Sequence, residues 1–171
     1  MSGALKELAK RLDSARWTDA RVVVAEVDVD WRAARRWLPT GLKLQRPARA
    51  QLFIADYPQT SFGCVYREAA VLLPVRVGPL KAMHCPWMLV DDDVALILGR
   101  ELLGYPKKMG EMTWSLDEDR LRAVARRRDT DLIEIEGTVG DVLESPPPFI
   151  AQRTVNVWGA LGMGALRLLL F

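Results

Sequence analysis

The sequence is poor in the side chains that most often build metal sites and thiol chemistry. It holds one histidine, His84, and two cysteines, Cys64 and Cys85. Two cysteines are too few for a disulfide framework or a zinc cluster. Histidine–cysteine catalysis is also disfavoured, because neighbours on an extended strand point to opposite faces, which separates His84 from Cys85. We therefore expect His84 to have a structural role or to lie in a pocket wall, and we expect no metal ligands.

Long apolar runs and strong net charge are lacking too. No stretch approaches the roughly 20 apolar residues that span a bilayer, and the net charge of +2 is too small to indicate nucleic acid as a partner. The opening segment MSGALKELAKRLDSAR is charged throughout, unlike a signal peptide. We expect a soluble cytoplasmic protein without membrane contact. Its 171 residues, half of them hydrophobic, suffice for one domain with a core.

Strand-like segments separated by turns dominate the chain. Alternating or continuous runs of valine, leucine and alanine predict strands at 21–29, 49–56, 63–77, 83–90, 111–117, 120–128, 131–139, 149–158 and 165–171. Pro86 should mark an edge or a bulge, and Pro146–Pro148 a stiff connector. Closely spaced strands with intervening turns are typical of an antiparallel barrel or sandwich with a few helices.

Three segments carry helix signals. Leucines at helical spacing predict a short amphipathic helix over 4–13, and Asp30 is a candidate N-cap for a helix that continues through Trp37. Asp91–Asp93 precede an apolar segment that ends at Gly104, which predicts a helix with acidic residues at its positive end. A metal site is the alternative for these aspartates, but no histidine or glutamate cluster accompanies them.

Two further patterns could indicate either a ligand-binding site or an ordinary structural element. Arginines alternate with apolar residues over 120–128, which is typical of a half-solvated strand; an RNA-binding ribbon is the alternative, although aromatic residues are too few for base stacking. Gly159–Gly164 resembles a phosphate loop only superficially, because the glycine order differs from a dinucleotide fingerprint and no helix signal follows. A hairpin loop is the favoured interpretation.

Lysine is scarce, with six residues among 24 basic ones, yet Lys107 and Lys108 are adjacent behind Pro106. Arginine stays protonated in proteins, whereas a lysine amine can lose its proton and attack a carbonyl to form a Schiff base. On an extended backbone the two side chains point to opposite faces. We expect burial in an apolar pocket to favour the neutral amine more than the neighbouring charge does. A solvated turn is the alternative interpretation.

The run GRELLGYPKKMG, residues Gly99–Gly110, resembles the active-site segment of the acetoacetate decarboxylase family, where such a run supplies the imine-forming lysine. Gly63–Glu68 with Leu73–Val75 is similar to the glutamate-bearing strand of that family, and the segment from Asp30 to Pro39 is a weaker match. The resemblance implies an α+β, mainly β fold: an antiparallel, closed or partly closed, cone-like β-barrel with a few short helices. It also implies one acetoacetate decarboxylase-like domain over residues 1–171.

The same resemblance implies roles for the charged residues of these motifs. Lys107 corresponds to the imine-forming lysine and Lys108 to its cationic neighbour. Glu68 corresponds to the active-site glutamate, which could orient a lysine or carry protons. The alternative for Glu68 is an ordinary strand carboxylate that pairs with Arg67 or Arg76.

Substrate contacts are implied less directly. Arg21 is the nearest candidate for the family arginine that meets the substrate carboxylate, and we expect Tyr105 and Met109 to line the substrate pocket. A second family glutamate falls on Leu52 or Phe53, both apolar. This departure leaves the substrate open.

The function implied is decarboxylation of a small β-keto acid such as acetoacetate through a lysine Schiff base, by a homo-oligomer with no metal or organic cofactor. A Schiff-base aldolase or dehydratase is one alternative, and a non-catalytic barrel that binds a small molecule is another. We further expect the chain to be C-terminally short relative to the family. Its last residues, 165–171, should then leave an apolar strand edge that invites association with another chain.

Overall fold

The computed structural model describes residues 15–145, 153–158 and 167–170, most of them in β-strands. The strands are β1 (Trp17–Thr18), β2 (Arg21–Asp28), β3 (Lys43–Leu44), β4 (Arg49–Tyr57), β5 (Gln59–Thr60), β6 (Tyr66–Val77), β7 (Leu80–Val90), β8 (Lys107–Met109), β9 (Glu111–Asp117), β10 (Arg120–Arg127), β11 (Thr130–Thr138), β12 (Val155–Trp158) and β13 (Arg167–Leu170). The described helices are α1 (Trp31–Arg35) and α2 (Asp93–Leu103). Neither is long and apolar enough to cross a membrane.

The largest sheet has six strands, in the order β2-β4-β6-β7-β8 with β3 paired to β6. All of its pairs are antiparallel except β7 with β8, which run parallel and are joined by α2. Parallel neighbours cannot be joined by a tight turn, so the connection has to cross over the sheet. This crossover contains α2 and brings β8 to the edge of the sheet, beside β7.

The other sheets are smaller: β9-β10-β11, β12-β13 and β1-β5. The β9-β10-β11 sheet packs on the six-stranded sheet through a core that joins Ile54, Ala69 and Leu89 to Ala123 and Ala125. A mainly β fold with few helices is therefore confirmed. Over the described ranges no sheet closes on itself, so the predicted closed or partly closed barrel is not confirmed.

Strand boundaries differ from prediction where glycines set the turns. β6 begins at Tyr66, after Gly63 at φ 84°, rather than at residue 63. β7 begins at Leu80 rather than residue 83, because Gly78 at φ 57° permits a two-residue turn.

The predicted irregularity at Pro86 is confirmed. Trp87 of β7 pairs with Val71, whereas His84 pairs with Leu73, so Cys85 and Pro86 together oppose one residue of β6. This is a β-bulge, and it accommodates a residue that has no N–H group to donate.

The helix caps follow the predicted chemistry. Asp30 caps α1 by accepting a hydrogen bond from the backbone N–H of Ala33 at 2.7 Å, although α1 ends at Arg35 rather than Trp37. Asp92 caps α2 by accepting from Ala95 N–H at 2.7 Å, and Gly104 ends it at φ 65°. The capping role predicted for this aspartate cluster is therefore confirmed at Asp92.

Some predictions fall outside the described residues: the helix over 4–13, the connector at Pro146–Pro148 and the loop Gly159–Gly164. β12 and β13 pair antiparallel, with Val155 opposite Leu170. The predicted strands at 149–158 and 165–171 are thus present at 155–158 and 167–170. The exposed edge expected at 165–171 stays a prediction.

Candidate active site

A cavity of about 870 Å³ lies between α2 and one face of the six-stranded sheet. Strand alternation explains part of its lining, since Tyr66, Glu68 and Leu72 lie an even number of residues apart on β6 and share a face. The lining residues are Ala15, Trp17, Phe53, Tyr57, Ser61, Phe62, Tyr66, Glu68, Leu72, Met88, Ala95, Leu98, Gly99, Leu103, Tyr105, Lys107 and Thr154. Most of these side chains are aromatic or aliphatic.

A buried ion pair lies in this cavity. Lys107 Nζ donates to Glu68 Oε2 at 2.9 Å, and the two side chains are only 7% and 10% exposed. The sheet brings them together, because Lys107 is opposite Met88 on β7 and Glu68 is opposite Val90 on the same strand. Glu68 forms no ion pair with Arg67 or Arg76, the partners in the alternative interpretation; Arg67 pairs instead with Asp56 at 2.9 Å.

Lys108 lies on the other face of β8. Its side chain is exposed, whereas that of Lys107 is buried, as expected for neighbours on extended backbone. The lysines are therefore not equivalent: one amine faces the cavity and the other faces solvent.

Two tyrosines support the ion pair. The Tyr57 hydroxyl donates to Glu68 Oε1 at 3.2 Å, and burial together with the Glu68 charge raises the pKa of Tyr57 well above its usual value, so this donor keeps its proton. The Tyr66 ring centre lies 5.2 Å from Lys107 Nζ, a cation–π distance. Trp17 Nε1 donates to the Tyr66 hydroxyl at 3.0 Å, and burial raises the pKa of Tyr66.

Sequence reasoning assigned no role to these tyrosines. Tyr66 could have been found, because it precedes Glu68 by two residues on a predicted strand and must share its face. Tyr57 could not, because it reaches the site through its register opposite Tyr66, which the sequence does not reveal.

Gly99 lets Lys107 lie against α2. A Cβ atom at Gly99 would fall 2.5 Å from Lys107 Cε and 2.7 Å from Cδ, so any side chain there would force Lys107 to move. Glycine in a helix interior costs about 1 kcal/mol relative to alanine, so its presence there indicates a close approach. That signal was present in the motif, although only the structure shows what approaches.

The other predicted site residues are divided by the fold. Tyr105 lines the cavity, and burial raises its pKa to about 12, with a hydrogen bond to Thr154 acting in the opposite direction. Met109 is 46% exposed and does not line the cavity. Arg21 is exposed at one end of β2, where its backbone lies opposite that of Asp56 on β4. Its side chain does not line the cavity either.

The described lining holds two charged side chains, Lys107 and Glu68, and these pair with each other. Phe53, one of the apolar residues where the second family glutamate was expected, lines the cavity. The surroundings of the amine are therefore apolar, apart from Glu68 and the hydroxyl groups.

His84 lies outside this site. Its Nδ1 is 2.9 Å from the Val155 carbonyl, which can only accept, so Nδ1 carries the proton. Burial lowers the pKa of His84, and the hydrogen bond to Val155 acts in the opposite direction. The contact ties β7 to β12, in keeping with the structural role expected from the sequence.

Comparison with known proteins identifies the family. The family model described as acetoacetate decarboxylase (ADC) matches residues 6–156. The chain belongs to the acetoacetate decarboxylase family. Within this match lie both Glu68 and Lys107, as well as every other residue that lines the cavity.

Curated members of the family are about 30% identical to this chain over the aligned part of the sequence. The acetoacetate decarboxylase of Clostridium acetobutylicum is 31% identical over 99 residues, which are 58% of this chain and 39% of that protein. The acetoacetate decarboxylase of Chromobacterium violaceum is 29% identical over 106 residues, 62% of this chain and 43% of that protein. The chain thus spans about two fifths of the length of these relatives.

Solved structures of the family share the fold. Acetoacetate decarboxylase from Legionella pneumophila superimposes with a TM-score of 0.79 at 16% identity, covering 91% of this chain and 65% of that one. The enduracididine biosynthesis enzyme MppR, complexed with pyruvate, gives a TM-score of 0.76 at 23% identity, covering 87% and 66%. At these identities the likeness shows the fold alone.

Proposed function

We propose that this chain is an imine-forming lyase that decarboxylates a β-keto acid, with Lys107 as the nucleophile. The observation that carries the proposal is the buried pair of Lys107 and Glu68, 2.9 Å apart in an apolar cavity. Membership of the acetoacetate decarboxylase family supports the reaction class. We include acetoacetate among the candidate substrates.

The chemistry needs an electron sink that a ketone oxygen provides poorly at neutral pH. The Lys107 amine attacks the ketone carbon, the C–N bond forms, and water leaves to give a protonated imine. The bond from the α-carbon to the carboxylate then breaks, CO2 leaves, and the electron pair forms the C=C bond of an enamine. The α-carbon takes a proton, and water hydrolyses the imine to release the ketone and restore the amine.

Glu68 and Tyr57 support the nucleophile in this proposal. The amine can attack only without its extra proton, and Glu68 Oε2 is the acceptor within hydrogen-bond distance. Tyr57 occupies the other carboxylate oxygen, Oε1, which directs Oε2 toward Lys107. Lys108 contributes only from the solvent face, so we assign it a minor electrostatic role.

A Schiff-base aldolase or dehydratase is the second candidate. MppR, which shares the fold, has been solved with the condensation product of pyruvate and imidazole 4-carboxaldehyde. No arginine lies in the described lining to meet a substrate carboxylate, and an aldolase donor that lacks a carboxylate would need none. A non-catalytic barrel that binds a small carbonyl compound is the third candidate.

Reductive trapping tests the proposal. The chain is incubated with acetoacetate and cyanoborohydride, and peptide mass spectrometry locates the adduct, which we expect on Lys107. Lys107→Met should abolish the adduct, whereas Lys108→Ala, the matched control on the same strand, should retain it. Release of acetone and CO2 without reductant separates a decarboxylase from an aldolase.

Three outcomes would change the assignment. An adduct on Lys108 would exchange the roles of the two lysines. An adduct on Lys107 without CO2 release would favour the aldolase or dehydratase. No adduct with any carbonyl compound would favour the binding barrel.

The closed or partly closed barrel, the single domain over residues 1–171, the homo-oligomer and the cytoplasmic location are kept as proposals. Light scattering after size-exclusion chromatography tests the oligomer directly. A monodisperse monomer at all concentrations would contradict it.

A further inference from the structure

We infer that the cavity accepts a carbonyl compound whose ketone bears an arylalkyl or long alkyl group, and that it selects this group rather than a carboxylate. The inference rests on the proposed imine at Lys107 and names the substrate class for that site. Acetoacetate, with only a methyl group beside its ketone, would be a poor fit.

The size of the cavity is the first argument. Pockets of about 300–1,000 Å³ enclose ligands the size of a drug molecule, and this cavity measures about 870 Å³. A small keto acid would leave most of it to water. A ligand gains affinity from apolar area removed from water, so a larger apolar substituent should bind more tightly.

The placement of aromatic rings is the second argument. Tyr66 lies 5.2 Å from the amine, and its ring centre is 4.9 Å from that of Tyr57 and 6.4 Å from that of Phe62. Trp17 extends the group, 5.5 Å from Phe62 in an edge-to-face arrangement. These four lining rings form a continuous apolar wall that begins beside Lys107, where the substituent of an imine carbon would lie.

Aliphatic side chains from β6, β7 and α2 also line the cavity: Leu72, Met88, Leu98 and Leu103. An arylalkyl group attached to the imine carbon would therefore have both aromatic rings and aliphatic side chains to contact. Both kinds of contact are non-directional and scale with buried area.

Charge is the third argument. In the described part of the lining Lys107 is the only cation, and it pairs with Glu68. A substrate carboxylate would find hydroxyl groups but no second positive charge, and Glu68 would repel it. Binding should therefore depend little on the carboxylate, so the ketone product should bind about as well as its keto acid.

The experiment compares four ligands in the trapping assay: acetoacetate, acetone, benzylacetone, and 5-phenyl-3-oxopentanoate, the β-keto acid that carries the arylalkyl group on its ketone carbon and yields benzylacetone on loss of CO2. The benzyl group is not conjugated with the ketone, so reactivity toward amines is nearly matched. We expect half-maximal trapping on Lys107 at about tenfold lower concentration for the two benzyl ligands. For ligands with the same substituent, the half-maximal concentrations of the keto acid and the ketone should agree within about threefold. In free energy, that is about half of a tenfold change.

Two tryptophan variants on α2 link the preference to the cavity. Leu98→Trp fills the cavity and should reduce the benzyl-to-methyl ratio several-fold. Ile97→Trp, at a position that is 54% exposed and outside the lining, should leave the ratio unchanged. If Leu98→Trp fails to fold, as judged by circular dichroism, Leu98→Phe gives a smaller change in the same direction.

The outcomes are distinguishable. Equal half-maximal concentrations for benzyl and methyl ligands would overturn the inference while leaving the proposed function intact, and so would a keto acid that binds far more tightly than its ketone. A benzyl preference that persists undiminished in Leu98→Trp would also overturn it, because the cavity would not be the source. Trapping of none of the four ligands would refute the proposed function itself, and the inference with it.

Discussion

Two sheets of this molecule pair basic side chains with carboxylates, but only one does so away from water. In the six-stranded sheet, Lys107 and Glu68 are at most one-tenth exposed. In the β9-β10-β11 sheet, Arg122 contacts Glu134, and Arg126 contacts Asp131, with side chains that are 38–51% exposed. The same kind of contact thus occurs in two very different solvent environments.

The difference bears on the proposal that the buried pair takes part in imine formation. An exposed pair forms at little cost and adds little to stability, because water screens the charges and the long side chains lose freedom. A buried pair must overcome the cost of removing two charges from water, and well-packed apolar residues would often stabilise the fold as well or better. Stability alone therefore gives little reason for the Lys107–Glu68 pair, which agrees with the role proposed for it in imine formation.

The largest expected effect comes from breaking the buried pair. Lys107→Met should abolish trapping and lower the free energy of unfolding by about 3–5 kcal/mol, because Glu68 would be left without its partner. Urea denaturation measures this loss. The double variant Lys107→Met with Glu68→Leu should recover most of the stability but none of the trapping. If the single and double variants were equally stable, an unpaired Glu68 would not destabilise the fold.

A smaller effect is expected from crowding the pair without removing it. Gly99→Ala places a methyl carbon 2.5 Å from the present position of Lys107 Cε, so the lysine side chain has to shift. We expect a cost of about 1–3 kcal/mol by overpacking and slower imine formation. Gly137→Ala on β11 is the matched control, because nothing lies within 4 Å of a Cβ there. If Gly99→Ala traps at the wild-type rate, the close contact does not position the amine.

Acid should affect the two sheets in different pH ranges. Burial lowers the pKa of His84 below 6.5, so between the folded and unfolded values the unfolded chain binds more protons. The contribution of His84 to the free energy of unfolding should therefore be fully present above pH 6.5. It should be lost as the pH falls through the pKa that His84 has in the folded state. In the β9-β10-β11 sheet, the hydrogen bond from Arg126 lowers the pKa of Asp131 below 3.8, so its contribution is lost only in stronger acid.

Urea titrations between neutral and mildly acidic pH would measure this difference. His84→Gln can keep a hydrogen bond to Val155 without titrating, and it should flatten the pH dependence near and below pH 6.5. Asp131→Asn should leave that range unchanged. An unaltered profile in His84→Gln would place the acid sensitivity elsewhere.

The smallest effect is expected in the exposed pairs. Arg122→Ala removes contacts to Glu134 and Glu136, yet both partners remain hydrated, so the denaturation midpoint should hardly change. Any difference from wild type should disappear at high salt, since exposed charges are screened. A loss comparable to that of Lys107→Met would refute the contrast between the two sheets.

Local patterns in the sequence predicted most of the elements. The alternation of arginine with apolar residues predicted the half-solvated strand β10, in which Ala123 and Ala125 are buried and Arg122 and Arg126 are exposed. Caps and breakers such as Asp92 and Gly104 placed α2 within two residues. These predictions succeed because capping, turn geometry and side-chain direction depend on neighbours within a few residues.

The sequence by itself also determined that Lys107 and Lys108 face opposite sides, since that follows from extended backbone alone. Only the tertiary structure decided which of them is buried, because this depends on the β7–α2–β8 crossover and on the parallel register of β8. The same register brings Lys107 to Glu68, 39 residues away in sequence. Such contacts are set by strand order and sheet packing, which no short window of sequence contains.

Tertiary structure likewise decided which predicted neighbours reach the cavity. Tyr105 lines it, whereas Met109 and Arg21 do not, although all three were expected to contact the substrate. Tyr57 reaches Glu68 through pairing between β4 and β6, and Gly99 leaves room for the Lys107 side chain beside α2. Sequence specifies the chemical groups and their local direction; their distances across the cavity arise when the sheet and helix pack together.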